Sequence, residues 1–498
     1  MGVAGSRIAT PSTVGLAIGA VCLVSACVMG PDYVRPQVDV PQAYRFMHDH
    51  DSLQGEVKAP VAGWWQAFGD SRLDALVAEG LRANHDLRIA ALRVDEFAAR
   101  VTGARAAGLP QIGYGSSASR QALGGGNPDT RYSALLSASW EIDLWGRIRR
   151  ESEAARASLL ATDQARIGVG LTVASAIVSG YVTLLDLDQR LRIARSTVEG
   201  RRANVELFQL RLDGGVVSDF EMMQVEVEYE AALAAIPDIQ RAIDLQENAL
   251  SLLVGRNPGP IERGPALEAL VTPRVPGGIP SQLLERRPDI IQSEQQLVAA
   301  NATVGAARAL YFPNLSLTGS AGGSSNELDG LFSGPGRSWS FVGELLGPIF
   351  SGGAIESANQ QAEARKAQAV ESYRRTVQNA FRDVDDALVS LSASRALVAS
   401  YERRVHSLER AVELSRERYD NGYADYLDVL DSERGLFSAR LALTAVRGDA
   451  LRNVTDLYRA LGGDWTVTDA AVPSVGVAIR HEGNALASPP DAATTSHD

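Results

Sequence analysis

Two stretches of this chain are too long and too free of proline to be helices of an ordinary globular domain. No proline falls between Pro128 and Pro237, or between Pro348 and Pro473. Within those windows run charged, alanine-rich segments such as "RRESEAARASLLATDQARIGVGLTV", built of residues that cost little in a helix. The pattern predicts one helix over 147–213, with Gly200 as a point of irregularity, and a second over 353–420. At 1.5 Å per residue each is about 100 Å long. Helices of that length imply a coiled-coil-like bundle or tube.

The chain also repeats itself. At a shift of 203, Leu81, Asp86, Ala99, Val101, Arg105 and Pro110 meet Leu284, Asp289, Ala302, Val304, Arg308 and Pro313. At a shift of 207, "RLDGG" (211–215) meets "RYDNG" (418–422), and Gly255 meets Gly462. The two offsets imply a net insertion of four residues in the second half. The unit is helix, two strands, long helix, turn, helix, and it occurs twice. Length alone, at 498 residues, suggests about three domains. The repeat instead divides the chain into a leader (1–26), an extended segment (27–63), one repeat (64–266), a second (267–465) and a polar tail (466–498).

Strands are expected where each helical run breaks. In 131–144, Tyr132, Ala134, Leu136, Ala138, Trp140, Ile142 and Leu144 share one face. Small polar and charged residues take the other, with only Leu135 out of pattern. Segment 111–121 alternates more weakly, and 314–323 and 338–346 in the second half alternate too. One greasy face and one small-polar face suits a membrane barrel with a wet lumen, and a soluble half-buried sheet alternates in the same way. If the strands enter lipid, open edges are forbidden, and four strands cannot close a spanning barrel. The chain must then oligomerise: two copies supply eight strands, three supply twelve.

The N-terminus favours the membrane. After Arg7, residues 14–24 are mostly apolar, too short to span a bilayer and typical of a signal peptide. The run ends "LVSAC", which resembles a bacterial lipobox. Cys27 would then become the acylated first residue, leaving one cysteine and no internal disulfide. An ordinary signal peptide that happens to end near a cysteine is the alternative. Val28 is not the Asp that retains lipoproteins at the inner membrane, so the resemblance points to the outer one. The net charge of −12 argues against a nucleic-acid partner.

Several stretches together resemble the NodT-type branch of the TolC-like outer membrane factors: "CVMGPDYVRP" (27–36), "WWQAFGDSRLDALVAEGLRANHDL" (64–87), "LLERRPDI" (283–290), "FPNLSLTGSAG" (312–322) and "GPIFSGG" (347–353). The resemblance covers about residues 27–465. It implies the exit duct of a tripartite efflux pump: a homotrimer with a 12-stranded β-barrel in outer-membrane lipid, continued by an α-helical barrel about 100 Å long. A periplasmic adaptor and an inner-membrane pump would dock at the far tip, near Gly214-Gly215 and Asn421-Gly422. Trp64 and Trp65, which by themselves suggest ligand stacking, are by resemblance packing residues.

The segment "RYDNGYADYLDVLDSERGLF" (418–437) carries Asp425, Asp428 and Asp431 just after a turn. Like charges three residues apart on a helix repel by a few tenths of a kcal/mol per pair. A helix N-terminus favours negative charge, which explains Asp425 but not Asp431, nearly two turns in. "YLDVLD" resembles the family's periplasmic gate. By that resemblance Asp428 and Asp431 line the constriction, Leu427 adds an apolar ring, and Arg434 pairs with Asp431 and ties the helices shut. The first repeat has Phe220, Glu221 and Gln224 there and is less acidic. The other reading is a solvated acidic face.

Nothing points to an enzyme or a cofactor. There is no Walker A loop, no H-E-x-x-H and no G-x-S-x-G. His48 and His50 lack a third placed ligand for a metal. A periplasmic coiled-coil scaffold without a pore is the competing function, and it would have no use for alternating, lipid-facing strands.

Overall fold

The computed structural model describes residues 28–46, 63–122, 128–273 and 280–463. Cys27, the leader, His48 and His50, and the tail from 466 lie outside the described residues. Helices α1 (Ser71–Ala83) and α2 (His85–Ala106) lead into strands β1 (Gln111–Gln121) and β2 (Asp129–Ile142), then α3 (Arg147–Asp213) and α4 (Asp219–Leu253). The second half has a short helical turn (Leu283–Arg286), α5 (Pro288–Ala309), β3 (Asn314–Ser325), β4 (Arg337–Leu346), α6 (Ala354–Asp420) and α7 (Tyr426–Ala460).

Both long helices start behind a glycine in the left-handed region, Gly146 (φ 77°) and Gly353 (φ 86°), where a side chain is strained. Each then runs 67 residues. Gly200 causes no break in α3. Pro237 does not end a helix either; it sits inside α4. Its ring deprives the carbonyl of residue 233 of a helical donor, but that face is exposed, so water can satisfy it.

The insertion inferred from the two offsets has a definite place. Eleven residues separate β3 from β4 and seven separate β1 from β2. The difference of four therefore lies in the β3–β4 loop.

One sheet of four antiparallel strands, in the order β1-β2-β3-β4, joins the two halves. The register puts Tyr114, Leu136, Ala321 and Trp339 side by side on one face, with Ile112, Ala138, Gly319 and Phe341 beside them. The other face carries serines, linked by Ser117–Ser133 and Ser320–Ser340 hydroxyl hydrogen bonds of 2.8 Å. Leu135, the residue out of pattern, stands on this polar face between Gly115 and Gly322. A Cβ at Gly322 would come within 2.9 Å of the Leu135 side chain, so glycine makes room for it. Tyr114, Ile112 and Trp339 are exposed in the protomer, and β1 and β4 are unpaired edges. A sheet with bare apolar area and two open edges needs further strands to complete it.

The strand predicted over 131–144 in fact ends at Ile142. The Asp143 carboxylate accepts hydrogen bonds from the Ile148 and Arg149 backbone N–H groups. It satisfies the first turn of α3, which period-two alternation does not register.

A belt of packed side chains surrounds the middle of the helices. Trp64 stacks on Tyr458 at 5.1 Å, and Trp65, Phe68, Ile177, Tyr181 and Tyr373 are buried around it. The tryptophans are thus packing residues with no face left for a ligand. Asp70 caps α1 and accepts the Tyr181 hydroxyl at 2.7 Å. Burial, then that hydrogen bond to a carboxylate, pushes the Tyr181 hydroxyl well above its ordinary pKa.

Residues 28–46 lie across this frame. Arg35 makes a two-pronged ion pair with the buried Glu294, both bonds 2.6 Å, and the Tyr33 hydroxyl donates to the same carboxylate at 3.0 Å. The Met29 N–H donates to the Trp145 carbonyl. Residue 28 therefore sits where β2 gives way to α3, at the level where the sheet ends.

Candidate functional site

The far end of the helices carries the acidic stripe. Each long helix ends in a turn that needs positive φ, at Gly215 (φ 69°) and Gly422 (φ 74°). The Val216 N–H bonds to the Arg211 carbonyl and the Tyr423 N–H to the Arg418 carbonyl, each at 2.8 Å. This is the glycine-terminated helix end that satisfies otherwise orphaned carbonyls. Gly214 keeps right-handed geometry, so only the second glycine of the pair is demanded by the backbone.

The first turns of α4 and α7 then differ. Ser218 caps α4 through a full capping box with Glu221. The Ser218 N–H and hydroxyl hold the Glu221 carboxyl below its usual range, and its charge is used locally. Asp425 occupies the cap position of α7 but makes no side-chain cap bond. Asp425 thus sits at the helix N-terminus, where negative charge is favoured, without a side-chain cap bond.

Helix α7 is two-sided at its start. Tyr426, Val429 and Leu430 face inward and pack with Phe208, Met222 and Val225 in a cluster separate from the belt core. The rings of Phe208 and Tyr426 lie 4.2 Å apart. Burial pushes the Tyr426 hydroxyl well above its ordinary pKa. Leu427, Asp428 and Asp431 point away from this cluster and are exposed. The Asp431 side chain is 82% exposed. Among the described residues the Asp428 carboxylate has no ion pair and no side-chain hydrogen bond. The structure thus groups Leu427, Asp428 and Asp431 on one open face.

Arg434 corrects the sequence reading. It lies 4.0 Å from Asp431 on the same helix, and a pair within one helix cannot tie two helices together. Its principal partner is Glu228 on α4, at 2.5 and 2.9 Å. Glu228 is 8% exposed and also pairs with the buried Arg201 of α3 at 3.0 Å. Arg201 donates as well to the Glu228 backbone carbonyl and lies over the Phe437 ring of α7 at 5.5 Å. One carboxylate therefore joins both helices of the first hairpin to the return helix of the second. In the repeat, Glu228 corresponds to Gly435 and Arg201 to Leu408 at the shift of 207. The buried pair belongs to the first hairpin alone.

Near the turns a further bond crosses between hairpins, from Arg211 Nη1 to the Tyr419 hydroxyl at 2.9 Å. Within the second hairpin, α6 and α7 are stapled by Arg416–Glu433, Arg440–Glu409 and Arg447–Glu402. These pairs tie the two helices of that hairpin to each other. Its attachments to the first hairpin at the tip are few: the Glu228 bridge, the Arg211–Tyr419 bond and the Phe208–Tyr426 cluster.

Residues 76–256 and 279–463 match the outer membrane efflux protein family. The chain is 34% identical over 450 residues to the cation efflux system protein CusC of Escherichia coli O6:H1, covering 89% of this chain and 96% of that one. It is 32% identical to a toluene efflux pump outer membrane protein, TtgC, of Pseudomonas putida, covering 92% and 96%. A crystal structure of CusC superposes with a TM-score of 0.81 at 32% identity, covering 88% of this chain and 100% of that one. The open state of the Neisseria gonorrhoeae MtrE channel also gives 0.81, at 31% identity over 88% and 98%.

Proposed function

The chain belongs to the outer membrane efflux protein family, and from that membership we propose that its duct is closed at the periplasmic tip by a carboxylate ring locked through Glu228. The protein is an outer membrane channel, a trimer that serves as the exit duct of a tripartite pump together with an adaptor and an inner-membrane component. Three copies of the four-stranded sheet supply a twelve-stranded barrel, with the apolar face toward lipid and the serine face toward the lumen.

The single observation that carries the gate is the outward-facing pair Asp428 and Asp431 opposite a buried apolar face, the first with no carboxylate partner among the described residues and the second touched only at 4.0 Å by Arg434. Three-fold symmetry brings two carboxylates per subunit to the pore axis, with Leu427 beside them. Charge in a narrow throat acts more strongly than in bulk water. The ring attracts cations and repels anions at the closed tip. Opening swings the second hairpin away from the first, which requires Glu228 to release Arg434. The adaptor contacts the turns at Gly214-Gly215 and Asn421-Gly422 and supplies the push. Relatives named for cation and for toluene export match about equally well, so the duct itself selects little and the partner pump chooses the cargo.

The test is ion selectivity in planar bilayers under asymmetric salt. Asp428→Ala combined with Asp431→Ala is expected to shift the reversal potential toward zero and to relieve block by divalent cations. A double variant with the wild-type reversal potential would return the stripe to an ordinary solvated face.

Acylation of Cys27 completes the proposal. Met29 donates its N–H to the Trp145 carbonyl and Val28 lies against Gly146, and this start of the described chain at the end of the sheet supports an anchor on the preceding cysteine. Mass spectrometry of mature protein is expected to find a lipid-modified N-terminal Cys27. An unmodified N-terminus elsewhere removes the anchor. Cys27→Ser should still reach the membrane, because the barrel holds it there.

A further inference from the structure

The longer of the two strand loops, "NELDGLFSGPG" (326–336) between β3 and β4, folds back onto the sheet. Gly323 lies on the face that carries Ala321, Leu136 and Trp339, the face turned toward lipid, and it pairs with Ala134 and Arg337. A Cβ at Gly323 would collide with the Leu331 carbonyl, so the loop covers the lipid side of β3 and not the lumen. The Glu327 N–H donates to the Ser325 hydroxyl at 3.2 Å, and the Ser333 hydroxyl donates to the Gly330 carbonyl at 2.8 Å. Leu331 is buried, whereas Leu328 and Phe332 are 66% and 71% exposed. Two arginines share this face. Arg337 stands opposite Gly323, and the shift of 203 brings Arg120 onto Gly323, so both lie near one height at the outer end of the sheet. Both are exposed, and among the described residues neither makes an ion pair, with Glu327 and Asp329 of the loop or with any other acid. The strands place no carboxylate on this face; Arg131, by contrast, shares the serine face with Asp129.

We propose that this rim binds a phosphate-bearing lipid of the outer leaflet: Leu328 and Phe332 enter the acyl layer, and Arg337, with the partner subunit's Arg120 across the seam between β4 and β1, holds the headgroup phosphate. Apolar side chains beside cations at the end of a lipid-facing band suit the membrane interface, where a charge on a barrel strand costs little. The guanidinium fork matches phosphate oxygens, and basic residues at an anionic lipid surface attract its headgroups. The first repeat has no such device, since its loop (122–128) lacks both aromatic and acidic residues and is four residues shorter. The site rests on the trimeric barrel and is independent of the gate and of the anchor.

The experiment uses full-length trimers in nanodiscs of phosphatidylcholine mixed with phosphatidic acid, with retained lipid read by native mass spectrometry. The wild type is expected to keep phosphatidic acid in preference to phosphatidylcholine. Arg120→Gln combined with Arg337→Gln should lower that preference by roughly tenfold or more, as the loss of two basic residues at an anionic surface requires, with the trimer and its conductance retained. Equal enrichment in both proteins overturns the site. Inorganic phosphate at the same concentration should not displace the lipid, because it offers no acyl chain to Leu328 and Phe332. Full displacement would reduce the rim to a plain anion site and overturn the lipid assignment. Should the double variant fail to assemble, a benzophenone-bearing phenylalanine analogue at position 332 tests the loop in otherwise unaltered protein. Its photo-adducts in outer membrane preparations are expected on lipid. Adducts on protein alone would show that another chain, and not the membrane, covers this loop.

Discussion

Glu228→Ala is expected to open the duct at rest, with a large rise in single-channel conductance and no change in cation preference. Glu228 is the only carboxylate in the three-residue bridge, and its partner Arg201 is as deeply buried as Glu228 itself. Removing one partner of a buried pair costs about 3–5 kcal/mol, because the remaining charge is left uncompensated. That cost falls on the closed tip. Opening lets water reach Arg201 and relieves the penalty, so the equilibrium moves toward the open state by roughly a hundredfold or more. Arg434→Ala should act in the same direction but more weakly. Glu228 keeps Arg201 in that variant, and Arg434 is half-exposed, so the lost pair is worth on the order of 1 kcal/mol. Planar-bilayer recordings of the three proteins give the order directly. Wild-type conductance in Glu228→Ala, from trimers that run normally in mild detergent, would sink the bridge as a lock.

Phe208→Ala is expected to loosen the tip while leaving the rest of the molecule intact. Phe208 is 1% exposed and central to the small cluster that holds Tyr426, Val429 and Leu430 against the first hairpin. Truncating a buried phenylalanine costs about 3–5 kcal/mol. The cluster shares no members with the belt core around Trp64 and Tyr181, so the loss should appear as local opening rather than global unfolding. Limited proteolysis is expected to cut near residues 214–217 and 421–424, with the main thermal transition in place. A drop in that transition without new cleavage at the turns would mean that tip and belt unfold together. In combination with Glu228→Ala the effects should not simply add, since both act on the same contact between hairpins.

The large architecture was legible in the sequence because it rests on periodicity and punctuation. Helix α3 occupies the range expected of it, and α6 begins one residue later than expected, at Ala354. Proline-free, alanine-rich sequence continues a helix until a residue with positive φ is required, and Gly215 and Gly422 are such residues. Alternation announced the strands, since side chains on a strand change face at every step. Self-similarity announced the two-fold repetition, and unclosed strands with lipid-type faces required more than one chain. A helix passes through the exposed Pro237, and alternation overran the end of β2, where Asp143 serves the next helix instead.

The exposed half of the tip was also readable. Leu427, Asp428 and Asp431 fall on one face from their spacing, and a resemblance assigned that face a role. Its locking half was not. Glu228 is one acidic residue among several in α4, and its partner Arg434 is 206 positions away. Spacing along a helix reports only neighbours on that helix. It made Asp431 the obvious mate for Arg434, whereas packing of α7 against the first hairpin brought a better-buried carboxylate closer. Local sequence determined the helices, strands, turns and the need to assemble, because each follows from torsional preference and from where apolar side chains recur. Tertiary structure alone decided which carboxylate Arg434 holds, because Coulomb attraction depends on distance and burial in three dimensions, and both are set by how two hairpins far apart in the chain come to lie side by side.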